Sequence, residues 1–350
     1  MESIDQAFLS AIEQKIFSGA QVIVGKGKDR LFSACYGRCG FRHGDGKITE
    51  DILFDVASLT KPVVTTTLAI RAVQAGKLAL TDPLRKWLPD CVRKEEMQIR
   101  HLLAHNSGLP PWLPIYQETL GKNQSADEIR QVFLTEIAQV SAEARLGERR
   151  IYSDLNFILL GFILERAFEQ SLDELFWEYL SKPLEMSRST FNPLEQEFQA
   201  GQIVLSGVSS VRGKPLRGDV NDENAAALGG VAGHAGLFST AHDLEKFIYY
   251  FWGHYTEAAW QQFVGAAVSP KLGWDTVSRP QSQAGSYFSD GSIGHLAFTG
   301  CSLWFDLQDK KYVILLTNRT LSAHPDRDFK AFRPMIHDLL LTQLQLAATK

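Results

Sequence analysis

Ala57-Ser58-Leu59-Thr60-Lys61-Pro62 stands where a strand-like run, residues 52–56, gives way to a helical pattern over 59–75. Serine and lysine three residues apart share one helical face, one turn apart. A serine hydroxyl is a weak nucleophile until a base takes its proton, and an amine held in a partly desolvated pocket takes or relays that proton. At a helix N-terminus the serine also meets backbone N–H groups and the positive end of the helix dipole, which favour developing negative charge. The spacing therefore suits acyl transfer. A plainer reading stands beside it, in which Ser58 is an N-cap and Lys61 a solvated first-turn residue. No other Ser-x-x-Lys occurs in the chain.

Upstream of this segment, residues 20–25 and 31–37 read as two strands of a hairpin, preceded by an amphipathic helix carrying Ile4, Phe8, Leu9, Ile12 and Ile16. Near the other end, residues 293–299, 302–306 and 312–318 are β-rich, and a helix over 328–346 closes the chain. Helical patterns fill the middle at 125–139, 154–170, 172–180 and 240–252. The economical arrangement is an α+β fold: one antiparallel sheet built from both termini and flanked by helices, with a large, mostly helical inserted region. We expect a single domain over 1–350, with an α/β part at about 1–60 plus 285–350 and a helical part at about 61–284. Residues 196–232, rich in Gly, Ser, Asn and Asp, predict a long irregular segment, either mobile or site-forming.

Two further segments carry candidate chemistry. Tyr152-Ser153-Asp154 precedes the most apolar helix of the chain. A phenol becomes a useful base when cations lower its pKa, and an acidic group two residues on can orient a lysine ammonium. The alternative is an ordinary N-cap at Ser153 or Asp154 beside a core tyrosine. Gly294-His295-Leu296-Ala297-Phe298-Thr299-Gly300 reads as a strand with small residues, where a ligand can approach backbone N–H groups closely, or as a plain strand ending in a glycine turn.

Composition narrows the classes. At 350 residues, 45% hydrophobic and 22% charged, the chain can bury a sizeable core, which excludes disordered, collagen-like and disulfide-scaffold proteins. A net charge of −4 without a basic stripe predicts no nucleic-acid partner. The longest apolar run, 157–164, is far short of the roughly 20 residues needed to cross a bilayer. The start, Met1-Glu2-Ser3-Ile4-Asp5, lacks a secretion signal, so a cytoplasmic location is expected. Cys35, Cys39, Cys91 and Cys301 read as reduced packing thiols. His101 and His105 have no Glu between them in the metalloprotease arrangement and no third ligand, so they and His234 are expected to be structural, with no metal bound. The glycines of 229–233 lack the lysine of a phosphate loop and read as a turn bordering the cleft, followed by a Thr240/Asp243 capping box.

In combination, Ser58-Leu59-Thr60-Lys61, Tyr152-Ser153-Asp154 and His295-Leu296-Ala297 resemble, in order and spacing, the three motifs of the serine β-lactamase-related family. That family includes class C β-lactamases, D-Ala-D-Ala carboxypeptidases and β-lactamase-fold esterases. The stretches His101-Leu102-Leu103-Ala104-His105-Asn106-Ser107-Gly108-Leu109-Pro110, Pro183-Leu184-Glu185-Met186 and Gly233-His234-Ala235-Gly236-Leu237-Phe238 look like the same family. The resemblance implies a β-lactamase/transpeptidase-like fold and an acyl-enzyme on Ser58. It implies Lys61 and Tyr152 as the proton-transfer pair, Asp154 in contact with Lys61, and the N–H groups of Ser58 and Phe298 as the oxyanion hole. No cofactor is implied.

The third motif departs from the family pattern. His295 stands where a lysine is usual and Leu296 where a hydroxyl is usual, so recognition of a substrate carboxylate there should be poor. Asp154 stands where Asn is common, and a carboxylate beside Lys61 favours the ammonium, which shifts proton transfer toward Tyr152 or draws in Asp154. The expected substrate is a small neutral ester, amide or short peptide, with weak or no β-lactamase activity. The alternatives are a binding or sensing protein that keeps the fold, and a peptidase acting on D-amino-acid fragments of cell wall. Oligomeric state is left open.

Overall fold

The computed structural model describes residues 2–89, 91 and 96–346. Its ten strands are β1 (Gly19–Lys26), β2 (Asp29–Gly37), β3 (Phe54–Asp55), β4 (Gly207–Ser209), β5 (Lys214–Leu216), β6 (Phe238–Ser239), β7 (Asp275–Thr276), β8 (Ser292–Leu296), β9 (Ser302–Asp306) and β10 (Lys311–Thr317). Six of them form an antiparallel sheet in the order β2-β1-β10-β9-β8-β7. The N-terminal hairpin thus docks on the last strand, with Val22 opposite Leu315 and Val24 opposite Val313.

Both faces of this sheet are covered, and the period of two sorts the side chains between them. Val22, Val24, Val313 and Leu315 point toward α1 (Glu2–Glu13) and the closing helix, where Phe8, Phe17 and Phe332 pack edge to face. Ile23, Ile314 and Leu316 point the other way, into a larger core shared with the inserted helices. Each large side chain buried there stabilises the fold by about 1.5–3 kcal/mol.

The inserted helices are α2 (Thr67–Gln74), α3 (Leu84–Trp87), α4 (Ile99–Leu103), α5 (Ala126–Gln139), α6 (Asp154–Phe168), α7 (Leu172–Phe176), α8 (Glu223–Ala227), α9 (Ala241–His254) and α10 (Ala258–Val264), and α11 (Pro325–Gln343) closes the chain. α6 is buried from Leu155 to Leu164, which explains its continuous apolar run: it is the central helix of the inserted region, not a membrane span. Among the described residues no helix is long and apolar enough to cross a membrane.

Several elements differ from the sequence reading for physical reasons. The strand expected over 293–299 stops at Leu296, because Ala297 N donates to Cys301 O (2.8 Å) and closes a tight turn through Gly300 at φ +100°. β7 is only two residues long and escapes any period-two signal. The helix expected over 59–75 begins as a 3₁₀ turn at Ala57–Leu59 and a π-turn at Lys61–Thr66 before becoming α2. Thr240 does cap α9, accepting from Asp243 N (3.2 Å), but the Asp243 carboxylate turns to Arg188 N and Ser189 Oγ, so the box is half made.

The irregular 196–232 segment is tied down by the β4–β5 hairpin, by α8 and by bonds from Asn221 and Asn224 to distant chain. It supports the site from behind.

Candidate active site

Asp55 ends β3, and its carboxylate, 1% exposed, accepts the amides of Ala57 (2.8 Å) and Asn221 (2.7 Å). Burial pushes this carboxyl up to about 6, and the two amides pull the other way. The tether holds Ala57 at φ +43°, a left-handed conformation that costs a residue with a Cβ roughly 1–2 kcal/mol. Strain of this kind concentrates where a side chain must be presented out of the regular backbone path. Thr60 stitches the turn in place, donating to Ala57 O (2.6 Å) and accepting from Leu237 N (3.2 Å). The N-cap reading of Ser58 is corrected here: Val56 holds the N-cap position, and Ser58 Oγ accepts a hydrogen bond from Lys61.

Lys61 is fully buried, which also rules out the solvated reading. Its Nζ donates to Ser58 Oγ (2.9 Å) and His234 O (2.9 Å) and lies 2.8 Å from Asp154 Oδ1. Asp154 thus meets the ammonium as an ion pair, and the Tyr152 hydroxyl interacts with the same nitrogen. Burial works against the charge, but Asp154 followed by Tyr152 outweighs it, and the pKa ends above the ordinary lysine value.

Tyr152 and Asp154 are delivered by the entry to α6. Ser153 occupies the N-cap position but does not cap; its Oγ donates to Pro110 O (2.6 Å) and its amide donates to His105 Nδ1 (3.0 Å). That bond makes Nδ1 the acceptor and leaves the His105 proton on Nε2. The His105 ring packs 4.7 Å from the Tyr152 ring. His105 is thus buried and hydrogen-bonded, and it backs a candidate catalytic residue. Burial pushes the Tyr152 phenol up, Lys61 pulls it down, and it settles at about 12, so the proton stays on oxygen at neutral pH.

The end of β8 and the turn after it form the opposite wall. His295 is 2% exposed, and its Nδ1 lies 2.8 Å from Leu296 O. A carbonyl only accepts, so Nδ1 carries the proton and Nε2 is left as an acceptor. Burial lowers the His295 pKa, which keeps the ring neutral. The Phe298 amide makes no hydrogen bond among the described residues.

Ser58, Tyr152, Asp154, His295, Leu296 and Phe298 line one cleft of about 620 Å³. Among the described residues no group of three or more His, Cys, Asp or Glu is placed to hold a metal ion.

Sequence reasoning missed three parts of this site. The His234 carbonyl is a backbone acceptor with no residue signature, positioned where His234 Nε2 meets Asp222 Oδ1 at 2.8 Å. The Arg150–Asp275 pair, 2.6 Å apart, enters from a loop and from β7. Arg319 and Arg333 come from the C-terminal end, outside any motif. The 229–233 glycines do not border this cleft. Gly229 and Gly233 line a separate cavity of about 400 Å³ against α6, where Gly233 packs on Gly161.

A two-faced antiparallel sheet with an inserted helical region, carrying a serine, a buried lysine and a tyrosine in one cleft, is the architecture of the β-lactamase-fold serine hydrolases. The Beta-lactamase family model matches residues 4–332, and the chain belongs to this family. Among curated proteins, the chain is 29% identical over 343 residues to the N-acetylmuramyl-L-alanine amidase of Bacillus subtilis, covering 87% of this chain and 77% of the relative. It is 29% identical over 317 residues to a putative D-alanyl-D-alanine carboxypeptidase of Escherichia coli, covering 80% and 72%.

Similar solved structures include EstCE1, a hydrolase with promiscuous acyltransferase activity, with a TM-score of 0.74 at 18% identity, covering 96% of this chain and 97% of that one. A class C beta-lactamase in complex with cefoxitin superposes with a TM-score of 0.73 at 18% identity, covering 97% and 98%. At that identity these structures speak to fold alone.

Proposed function

We propose that the protein is a serine hydrolase that forms an acyl-enzyme on Ser58 and acts on small esters or amides, with little or no turnover of β-lactams. The observation that carries this reading is the buried Lys61 ammonium, which donates to the cleft-facing Ser58 Oγ and is ion-paired with Asp154.

With Asp154 beside it, the lysine is a fixed positive charge and not the resting base. An ammonium about 3 Å from a forming alkoxide is worth on the order of 5 kcal/mol at an effective dielectric near 20, before desolvation. The Ser58 proton passes to the Tyr152 oxygen as the phenol's own proton moves to the leaving group. The Ser58 Oγ–carbon bond forms, the carbonyl electron pair collects on oxygen opposite the Ser58 and Phe298 amides, and collapse expels the protonated leaving group. Water then reverses the path and returns a proton to Ser58 through Tyr152.

Substrate class follows from His295 and Leu296. Neither offers a donor to a carboxylate beside β8, and losing a charge-assisted hydrogen bond costs about 1.5–3 kcal/mol. An uncharged group belongs at that position. The names of the amidase and carboxypeptidase relatives favour an amide as the scissile bond, with short D-amino-acid peptides as the second reading.

The test is intact-protein mass after a fluorophosphonate, alongside turnover of p-nitrophenyl acetate and butyrate, a D-Ala-D-Ala peptide and a cephalosporin, for wild type and Ser58→Ala. A stoichiometric adduct and ester turnover that vanish together in the variant support the proposal. No adduct and no difference from the variant would leave a binding or sensing protein, and a cephalosporin preferred over the esters would overturn the substrate assignment.

A further inference from the structure

We propose that Arg333, together with Arg319 and Phe329, forms a second specificity element of the cleft that takes a single carboxylate carried by the substrate. This rests on the acyl-hydrolase reading of Ser58 and names the substrate class of the same cleft.

Arg333 sits on α11 and lines the cleft that holds Ser58 and Tyr152, yet it is only 4% exposed. Among the described residues its guanidinium makes no hydrogen bond and no ion pair, and its Nε is enclosed without a partner. It lies over the Phe329 ring at 4.8 Å from the centroid, and Arg319 lies over the same ring at 5.7 Å. Arg319 is held in place by donating from Nε to Phe298 O (2.6 Å).

Among the described residues, the groups around Arg333 do not offset its charge. Burial and Arg333 together hold the His337 imidazole down at about 3, and burial pushes the Cys301 thiol up to about 12, so both are neutral. Burial and Arg319 pull Arg333 itself down to about 9, the mark of a cation held without a counter-ion.

A buried, unpaired guanidinium is unfavourable to the folded protein unless something completes it. Among the described residues Arg150 pairs with Asp275 and Lys61 with Asp154. Arg333 presents a planar fork of donors that fits a carboxylate in two parallel hydrogen bonds. Neutrality beside His295 and Leu296 is therefore a local requirement, and the anion is taken at α11. Because Arg319 also holds the Phe298 carbonyl, the subsite is built into the turn that carries the Phe298 amide.

The experiment compares matched ester pairs on the full chain. In one series the anion is on the acyl group: 4-nitrophenyl half-esters of the dicarboxylic acids from adipate to azelate, against straight-chain esters of the same length. In the other it is on the leaving group: acetates of 3- and 4-hydroxybenzoate, against phenyl acetate. Wild type should favour the anionic member at least tenfold in kcat/KM in one series, chiefly through KM, and Arg333→Met should lower that ratio at least tenfold. The variant keeps the apolar stem and removes the uncompensated charge, so its Tm should equal or exceed that of wild type.

No preference for the anion in either series overturns the proposal, as does a preference that survives Arg333→Met. The wild-type comparison needs no variant to fold. Ester turnover that persists in Ser58→Ala would instead overturn the acyl-hydrolase reading. If no ester is turned over, the thermal shift with monomethyl adipate against dimethyl adipate reads the subsite directly: stabilisation by the acid alone supports it, and an equal response overturns it.

Discussion

Lys61 Nζ lies 2.8 Å from Asp154 Oδ1 while the lysine is cut off from solvent, so this carboxylate decides the charge state of the lysine that faces Ser58. Asp154 is the largest of the influences that raise the Lys61 pKa; burial acts against it. Asp154→Asn removes the charge and leaves burial in command, so the Lys61 pKa falls. The alkaline limb of the kcat/KM profile should move at least one unit toward lower pH, and acylation at pH 7 should drop about tenfold or more. A profile that stays in place would remove the fixed-cation role from Lys61.

Tyr152→Phe separates proton relay from architecture. Lys61 keeps the Ser58 hydroxyl, the His234 carbonyl and the charge of Asp154 as partners when the phenol hydroxyl is lost. Removing a positioned acid–base group typically costs 10²–10⁴ in rate. Pre-steady-state acylation should slow by about that factor, while the urea midpoint stays near the wild-type value. A rate within a factor of three of wild type would assign the relay elsewhere.

Gly233→Ala tests the close approach behind the site. A Cβ on Gly233 would stand 2.1 Å from Phe157 O and 2.9 Å from Gly161 N, both backbone atoms that cannot swing aside. α6 must then move, carrying Asp154 with it, and the adjacent His234 carbonyl leaves Lys61. We expect a stability loss of more than about 2 kcal/mol in urea unfolding, in the range of core overpacking, together with loss of turnover. Gly253→Ala on α9 is the control: its Cβ would meet nothing within 4 Å, and stability should be unchanged or up to about 1 kcal/mol higher.

Two carboxyls, the buried Asp55 and the partly exposed Asp222, oppose one another in acid. Asp55 is raised by burial to about 6, so its contribution is fully present below its unfolded pKa near 3.8 and is lost as pH rises through 6. Burial also raises Asp222, but His234 and the Ala225 amide outweigh it and bring it to about 2, so its contribution is present above 3.8 and is lost as pH falls through 2. Each shift amounts to roughly 2–3 kcal/mol. Urea midpoints from pH 7 to pH 2 should show Asp55→Asn flattening the limb between 6 and 4 and Asp222→Asn flattening the limb between 4 and 2. Limbs unchanged by both substitutions would mean that neither carboxyl titrates as placed.

Much of the fold was legible because its signals are local. The hairpin 20–37 and the runs 302–306 and 312–318 alternate between two covered faces, and α5 announces itself with the reciprocal Ser125/Glu128 capping box. The start of the Ser58 helix was less legible, since no residue preference announces a left-handed Ala57 or a π-turn after it; Asp55 and Thr60 impose that geometry from outside the helix. β7 is too short to have a period.

The same boundary divides the site. The sequence by itself determined the α+β sheet built from both termini, and it singled out Ser58, Lys61, Tyr152 and Asp154 as the residues to be brought together, because one-turn spacing and motif order are properties of the chain. Only the tertiary structure decided that the buried Lys61 donates to the His234 carbonyl, that His295 faces the cleft as a neutral acceptor, and that Arg333 is buried with no counter-ion among the described residues. These depend on a backbone carbonyl, a tautomer and an unfilled pairing. None of the three is carried by residue identity, because each arises only when segments hundreds of residues apart exclude water from the same few ångströms.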